Sequence, residues 1–119
     1  DKEIRNYRRM DERRALFSVG VLYQTPHEKL RRIPDLIKKA IEDASNTRFD
    51  RSHLKEYADS AISFETVFWV TDRAYNVFMD ANHEVLLNIH KAFEDEGIDF
   101  AYPTRTLHVE SFPEAGGEK

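Results

Sequence analysis

The chain has 119 residues, of which 40% are hydrophobic and 12% aromatic, and this is enough to build the core of one domain. It contains no cysteine, which excludes disulfide bonds and thiolate metal sites. Its formal net charge of −4 combines a basic stretch, residues 1–32, with an acidic remainder, and its most apolar runs, VGVLY and VFWV, are too short to span a membrane.

The first residues are charged and predict a connector rather than part of a core. Residues 1–12, DKEIRNYRRMDE, hold only three apolar side chains, and the abrupt charged start indicates a chain cut from a longer one. From Arg13 onward, apolar side chains alternate along the chain, which predicts a strand with one strongly apolar face. Gly20 inside this strand predicts a bulge or a close approach of another backbone.

The motif TPHE predicts the start of a first helix. Thr25 is a favoured N-cap residue, Pro26 suits the first helical position, and Glu28 completes a capping box. Apolar residues then recur at helical spacing as far as Ile41. Pro34 interrupts this pattern, so we expect a kink or a restart of the helix there.

The middle of the chain predicts a turn followed by a β-hairpin. Residues 44–50, ASNTRFD, have the composition of a turn. The stretch HLKEYADSAISFETVFWVT predicts two strands, separated by Asp59 and Ser60. Val67 and Trp69 lie on the opposite face of the second strand from its other apolar residues, so we expect something to cover both faces.

A second helix and two short strands complete the predicted order. Apolar spacing predicts a helix over residues 75–96 that ends at Gly97, followed by a fourth strand in IDFAYP. Pro103 then breaks the chain, and residues 104–110 alternate as a terminal strand. One face of this strand holds Thr104, Thr106 and His108, and the other holds Arg105, Leu107 and Val109.

The β-α-β-β-α-β order predicts an α+β fold of the ferredoxin-like split type, with two helices on one face of a mostly antiparallel sheet. We expect this domain to occupy residues 13–103. The terminal strand would follow it, and residues 111–119 would form a disordered tail.

The sequence contains no pattern that predicts catalysis, a cofactor or a metal site. Its four glycines make no phosphate-binding loop, and its serines lack the context of a nucleophile elbow. His83 and His90 share a helix face but lack the i,i+3 or i,i+4 spacing of helical metal ligands. Because the basic residues are not interleaved with aromatic ones, no nucleic-acid partner is predicted.

Four segments together carry a resemblance to a known family. They are IRNYRRMDERRALFSVGVLYQTPHEKLRRIPDLIKKAIE, HLKEYADSAISFETVFWV, YNVFMDANHEV and GIDFAYPTRTLHV. In this order and at this spacing they resemble the C-terminal cytoplasmic domain of the small-conductance mechanosensitive channel (MscS) family, over residues 3–109.

The resemblance implies a non-enzymatic part of a membrane channel. Transmembrane helices and a small β-domain would precede this chain, and seven copies would form a hollow cage on the cytoplasmic side of a bacterial inner membrane. Membrane tension would open the pore, which would release ions and small osmolytes on hypo-osmotic shock. The acidic majority of residues 33–119 would bias ion concentrations if it lines the portals of the cage.

The resemblance also implies where copies of the chain meet. Residues 104–109 would pair with their copies in neighbouring subunits to close a small parallel β-barrel. Val67 and Trp69 would pack against a neighbouring subunit. Which face of the barrel strand would line the lumen stays open.

Other function classes remain open on the sequence alone. A ferredoxin-like domain can bind a small molecule and regulate a channel or another protein, or it can be a small enzyme. A channel of this family could also respond mainly to a bound signal. A ligand that raises Tm would favour regulation, and a pair of converging titratable groups would favour an enzyme.

Overall fold

The computed structural model describes residues 12–101, which form three strands and two helices. They are β1 (Arg13–Val21), α1 (His27–Glu42), β2 (Thr47–Tyr57), β3 (Ile62–Val70) and α2 (Tyr75–Glu96). The predicted α+β class, with two helices and an antiparallel sheet, is confirmed. The predicted terminal strand and tail, and the predicted connector up to residue 11, lie outside the described residues.

Strand β3 is the central strand of the sheet, whose order is β1-β3-β2 with both pairings antiparallel. Its central place explains why its sequence is apolar on both faces. Ala58 and Ala61 close the β2–β3 hairpin, since the Ala58 N–H donates to the Ala61 carbonyl at 2.7 Å. The predicted break at Asp59 and Ser60 is confirmed.

The core lies between the helices and one face of the sheet. Phe64 and Phe68 from β3 and Phe93 from α2 are fully buried. They pack in one cluster with buried residues of α1, among them Ile33 and Ile37. Both helices are amphipathic, so each buries one stripe against the sheet and leaves its polar side to solvent.

Within the described residues, the predicted fourth strand is reduced to one β-bridge, between Val21 and Phe100. The Ala101 N–H donates to the Gly20 carbonyl at 2.9 Å, beside this bridge. A Cβ at Gly20 would lie 3.1 Å from the Ala61 Cβ and 4.0 Å from the Ala101 Cβ, so the predicted close approach at this glycine is confirmed.

Three local predictions are wrong. The Thr25 hydroxyl donates to the Leu22 carbonyl at 2.7 Å, Pro26 takes the N-cap position, and no side chain caps α1, so the capping box does not form. Helix α1 runs through Pro34 without a break, because its flanking turns are anchored in the core. Residues 47–50 belong to β2 rather than to a turn, because Thr47, Arg48 and Phe49 pair with β3 and Asp50 forms a bulge between Phe49 and Arg51.

Gly97 ends α2 in the left-handed conformation, with φ of 72°. We expect Gly97→Ala to lower the free energy of unfolding by about 1 kcal/mol, since a Cβ is strained at positive φ. Gly97→Asn should cost less, because asparagine tolerates this region better. Urea unfolding of the three chains measures both effects, and equal stability of the alanine and wild-type chains would contradict this account of the cap.

Candidate subunit interface

The sheet has a second face, turned away from the helices, which we call the open sheet face. The register of the three strands places alternate residues on it, nine of which lie away from the hairpin end. They are Arg14, Leu16 and Ser18 of β1, Glu65, Val67 and Trp69 of β3, and Arg48, Arg51 and His53 of β2.

Three apolar residues, Leu16, Val67 and Trp69, lie among charged and polar side chains on the open sheet face. Val67 is 0% exposed although it is not part of the helix-covered core cluster. Leu16, its partner on β1, is 54% exposed. The prediction that Val67 and Trp69 share this face is confirmed by the register, whereas their contact with another subunit stays a prediction. A partly exposed leucine beside a buried valine and a tryptophan is typical of a surface that receives further protein.

The side chain of Trp69 is held in a fixed place on the open sheet face. Its indole Nε1 donates to Asp50 Oδ2 at 3.0 Å, and the Arg48 guanidinium lies 5.3 Å from the centroid of its ring. Arg48 also binds the Glu12 carboxylate at 2.6 Å, and Arg51 lies 3.4 Å from Asp50 Oδ1. The ring face of the indole attracts the arginine cation, and its N–H donates a hydrogen bond to the carboxylate, so the ring is held from two sides.

Sequence reasoning missed Asp50, which was placed in a turn. The register of β2 shifts between Phe49 and Arg51, and this bulge leaves Asp50 without a partner on β3. The carboxylate is thereby free to turn toward the indole of Trp69. A bulge depends on pairing with a distant strand, so the local sequence carries little sign of it.

The hydrogen bond from Trp69 is the largest cause of a pKa of Asp50 below its usual value. Desolvation opposes this shift, and the charge and hydrogen bond of Arg51 and the charge of Arg48 add to it. A carboxyl whose pKa is lower in the folded chain stabilises the fold above its usual pKa, and this contribution is lost as the pH falls through the folded value. We therefore expect the bond to Trp69 to persist at mildly acidic pH and to break in stronger acid.

The fluorescence of Trp69, the only tryptophan of the chain, can follow this titration. We expect a step with its midpoint below ~3.9, the ordinary pKa of aspartate. Asp50→Asn should remove the step, and Asp72→Asn, at another exposed aspartate, should keep it. A midpoint at or above the ordinary value would contradict the proposed role of the indole hydrogen bond.

The other predicted site residues belong to the terminal strand. Thr104, Arg105, Thr106, Leu107, His108 and Val109 lie outside the described residues. His83 is exposed on α2, whereas the ring of His90 stacks on Phe100 with centroids 5.8 Å apart. Within residues 12–101, no group of three or more His, Asp or Glu side chains is placed to hold a metal ion. Neither described helix has the length and hydropathy that crossing a membrane requires.

The fold is a two-layer α+β domain, with both helices on one face of an antiparallel sheet. Residues 15–100 match the family model described as "Mechanosensitive ion channel MscS, C-terminal". The chain therefore belongs to the MscS family of mechanosensitive ion channels. This family is one of ion channels, not of enzymes.

Two relatives from the archaeon Methanocaldococcus jannaschii support this assignment. The chain is 34% identical over 111 residues to the small-conductance mechanosensitive channel MscMJ, covering 92% of this chain and 32% of the relative. It is 29% identical over 114 residues to the large-conductance mechanosensitive channel MscMJLR, with the same shares of 92% and 32%. The chain thus spans about a third of the length of these relatives.

A solved structure shows the same fold. The cryo-EM structure of Arabidopsis thaliana MSL1 superposes with a TM-score of 0.64 at 15% identity, over 78% of this chain and 35% of that chain. This likeness supports the predicted architecture.

Proposed function

We propose that this chain is the cytoplasmic cage domain of a membrane-tension-gated channel that releases ions and small osmolytes on hypo-osmotic shock. The observation that carries the proposal is the family match over residues 15–100, which covers nearly the whole described domain. Because the chain corresponds to only 32% of each archaeal relative, the remaining length would carry the membrane-spanning part.

In this proposal the domain acts by geometry and charge and carries out no catalysis. Tension would open the pore because the open state occupies more membrane area. The cage would hold a vestibule below the pore, through whose portals ions and osmolytes leave. The two curated relatives and the solved structure described above come from an archaeon and a plant, so a bacterial inner membrane stays a prediction, with this domain on the cytoplasmic side.

The cage requires contacts between copies of the chain, and the open sheet face is the first candidate for one. Leu16, Val67 and Trp69 would pack against a neighbouring subunit of a homoheptamer. Residues 104–109 would supply the second contact, as the strands of a small barrel closed by seven copies. Ordered apolar side chains on the open sheet face support the first contact, because burying them gains free energy on assembly.

Osmolyte release from liposomes tests the function. The full-length protein that carries this domain is reconstituted into liposomes loaded with potassium glutamate and a small fluorophore, and the external osmolarity is lowered in steps. We expect release that grows with the size of the step and is absent from protein-free liposomes. No release from liposomes that contain inserted protein would contradict the proposal and favour a ligand-binding regulatory domain.

A further inference from the structure

The large exposed apolar side chains of the described residues gather on two separate surfaces. The β1-side surface consists of Tyr75, Met79 and Leu86 of α2, which are between 42% and 61% exposed, whereas Leu16 lies on the open sheet face. The hairpin surface consists of Tyr23, Leu54 and Tyr57, which are between 39% and 70% exposed. Leu87, on α2, belongs to neither surface.

Contacts along α2 place its apolar stripe beside β1. The Arg13 guanidinium lies 5.8 Å from the ring centroid of Tyr75, and His90 stacks on Phe100, which bridges to β1. On the other side of α2, the Asn88 side chain donates to the Ala40 carbonyl of α1 at 3.0 Å. The stripe therefore points away from α1 and toward the outer edge of β1.

The outer edge of β1 has one short contact among residues 12–101. It is the bridge at Val21, beside which the Ala101 N–H donates to the Gly20 carbonyl at 2.9 Å. In the described part of the chain, no strand pairs with the rest of this edge, from Arg13 to Val19.

Two residues of the hairpin surface, Leu54 and Tyr57, belong to β2, the outer strand on the opposite edge of the sheet from β1, and Tyr23 reaches them from the segment that follows β1. Tyr23 and Tyr57 stack with centroids 6.3 Å apart, and the Tyr23 hydroxyl donates to the Ala58 carbonyl. These bonds hold two aromatic rings in place at the surface, as is typical of the anchors of an interface.

We propose that the β1-side surface of one copy packs on the hairpin surface of the next copy. The proposal rests on the proposed function, which requires an assembly, and adds the counter-surface to it. Two different surfaces at opposite edges make a heterologous contact, which closes a ring when the rotation between copies is right.

Charges near the two surfaces have opposite signs. Arg13 and Arg14 begin β1, whereas Glu56 and Asp59 flank Tyr57 in the hairpin. Within the described part of the chain, none of these four side chains has an ion-pair partner. Opposite charges across a contact favour the right pairing of surfaces and oppose the pairing of like surfaces.

Cysteine cross-linking in the full-length protein tests the proposed contact, and the cysteine-free sequence gives it a clean background. A variant with Leu86→Cys and Tyr57→Cys should form a ladder of linked subunits on mild oxidation. The matched control is Leu87→Cys with Tyr57→Cys. Leu87 is 55% exposed, against 46% for Leu86, but it lies outside the β1-side surface, so this variant should give no ladder. Neither Leu86→Cys nor Tyr57→Cys alone should link copies, whereas a mixture of the two single variants should give linked pairs.

The outcomes of the cross-linking distinguish a failure of the proposed contact between copies from a failure of the proposed channel function. The mass of the assembly is measured in the same samples. An intact oligomer without the Leu86–Tyr57 ladder, or with a ladder from Leu86→Cys alone, overturns the proposed contact and leaves the channel assignment standing. A monomeric full-length protein overturns both.

Discussion

Replacing Leu16 by aspartate is expected to weaken assembly of the full-length protein by about 10- to 100-fold per contact, the range of a strong interface residue. Leu16 is 54% exposed in the single chain, so a carboxylate there is solvated before assembly and costs the fold little. In the assembly, the same carboxylate would be desolvated against apolar groups beside Val67. Binding would lose both the burial of the leucine and the free energy of charge desolvation.

Leu87→Asp is the matched control for Leu16→Asp, because Leu87 is 55% exposed and lies outside both proposed contact surfaces. Light scattering over a dilution series gives the oligomer mass, and urea unfolding verifies that each variant is folded. We expect the Leu16 variant to dissociate at concentrations where the Leu87 variant and the wild type stay assembled. Equal dissociation of the two variants would show that the open sheet face takes no part in assembly.

The second large effect is expected in the core, where Phe68→Ala should lower the free energy of unfolding by about 3–5 kcal/mol. Phe68 is fully buried at the centre of β3 and meets Phe17 edge to face, with ring centroids 6.0 Å apart. Its removal loses the transfer free energy of a large apolar side chain and leaves a cavity between the sheet and the helices. A loss of this size is a large part of the ~5–15 kcal/mol that stabilises a typical domain.

Phe68→Leu is the control for the cavity, since it keeps most of the apolar volume and should cost clearly less than alanine. Urea unfolding of the wild-type chain and of both variants, with tryptophan fluorescence as the probe, measures the differences. A loss below about 1 kcal/mol for Phe68→Ala, the level of an ordinary surface change, would contradict the place of Phe68 in the core.

Local patterns predicted part of the fold well. Helix α2 begins and ends where its apolar spacing and Gly97 predict, because both signals act within a few residues. The break at Asp59 and Ser60 was predicted from the turn residues between two apolar runs, and the β2–β3 hairpin closes there. The predictions for Thr25, Pro34 and residues 47–50 were wrong, because each outcome depends on tertiary contacts that override local propensity.

The candidate interface was predicted in outline only. Alternation along β3 placed Val67 and Trp69 on one face, which the register confirms. The hydrogen bond from Trp69 to Asp50 depends on a β2 bulge, and the pairing of Leu16 with Val67 depends on the register between distant strands. Neither follows from the residues next to them in sequence.

The central claim is that this chain forms part of a tension-gated channel. Patch-clamp recording tests it most directly, with the full-length protein in liposome patches and suction applied in steps. The account predicts unitary currents whose open probability rises steeply with tension and that disappear when the pore-lining segment is disrupted. Patches that contain inserted protein but stay silent up to tensions near membrane rupture would contradict it.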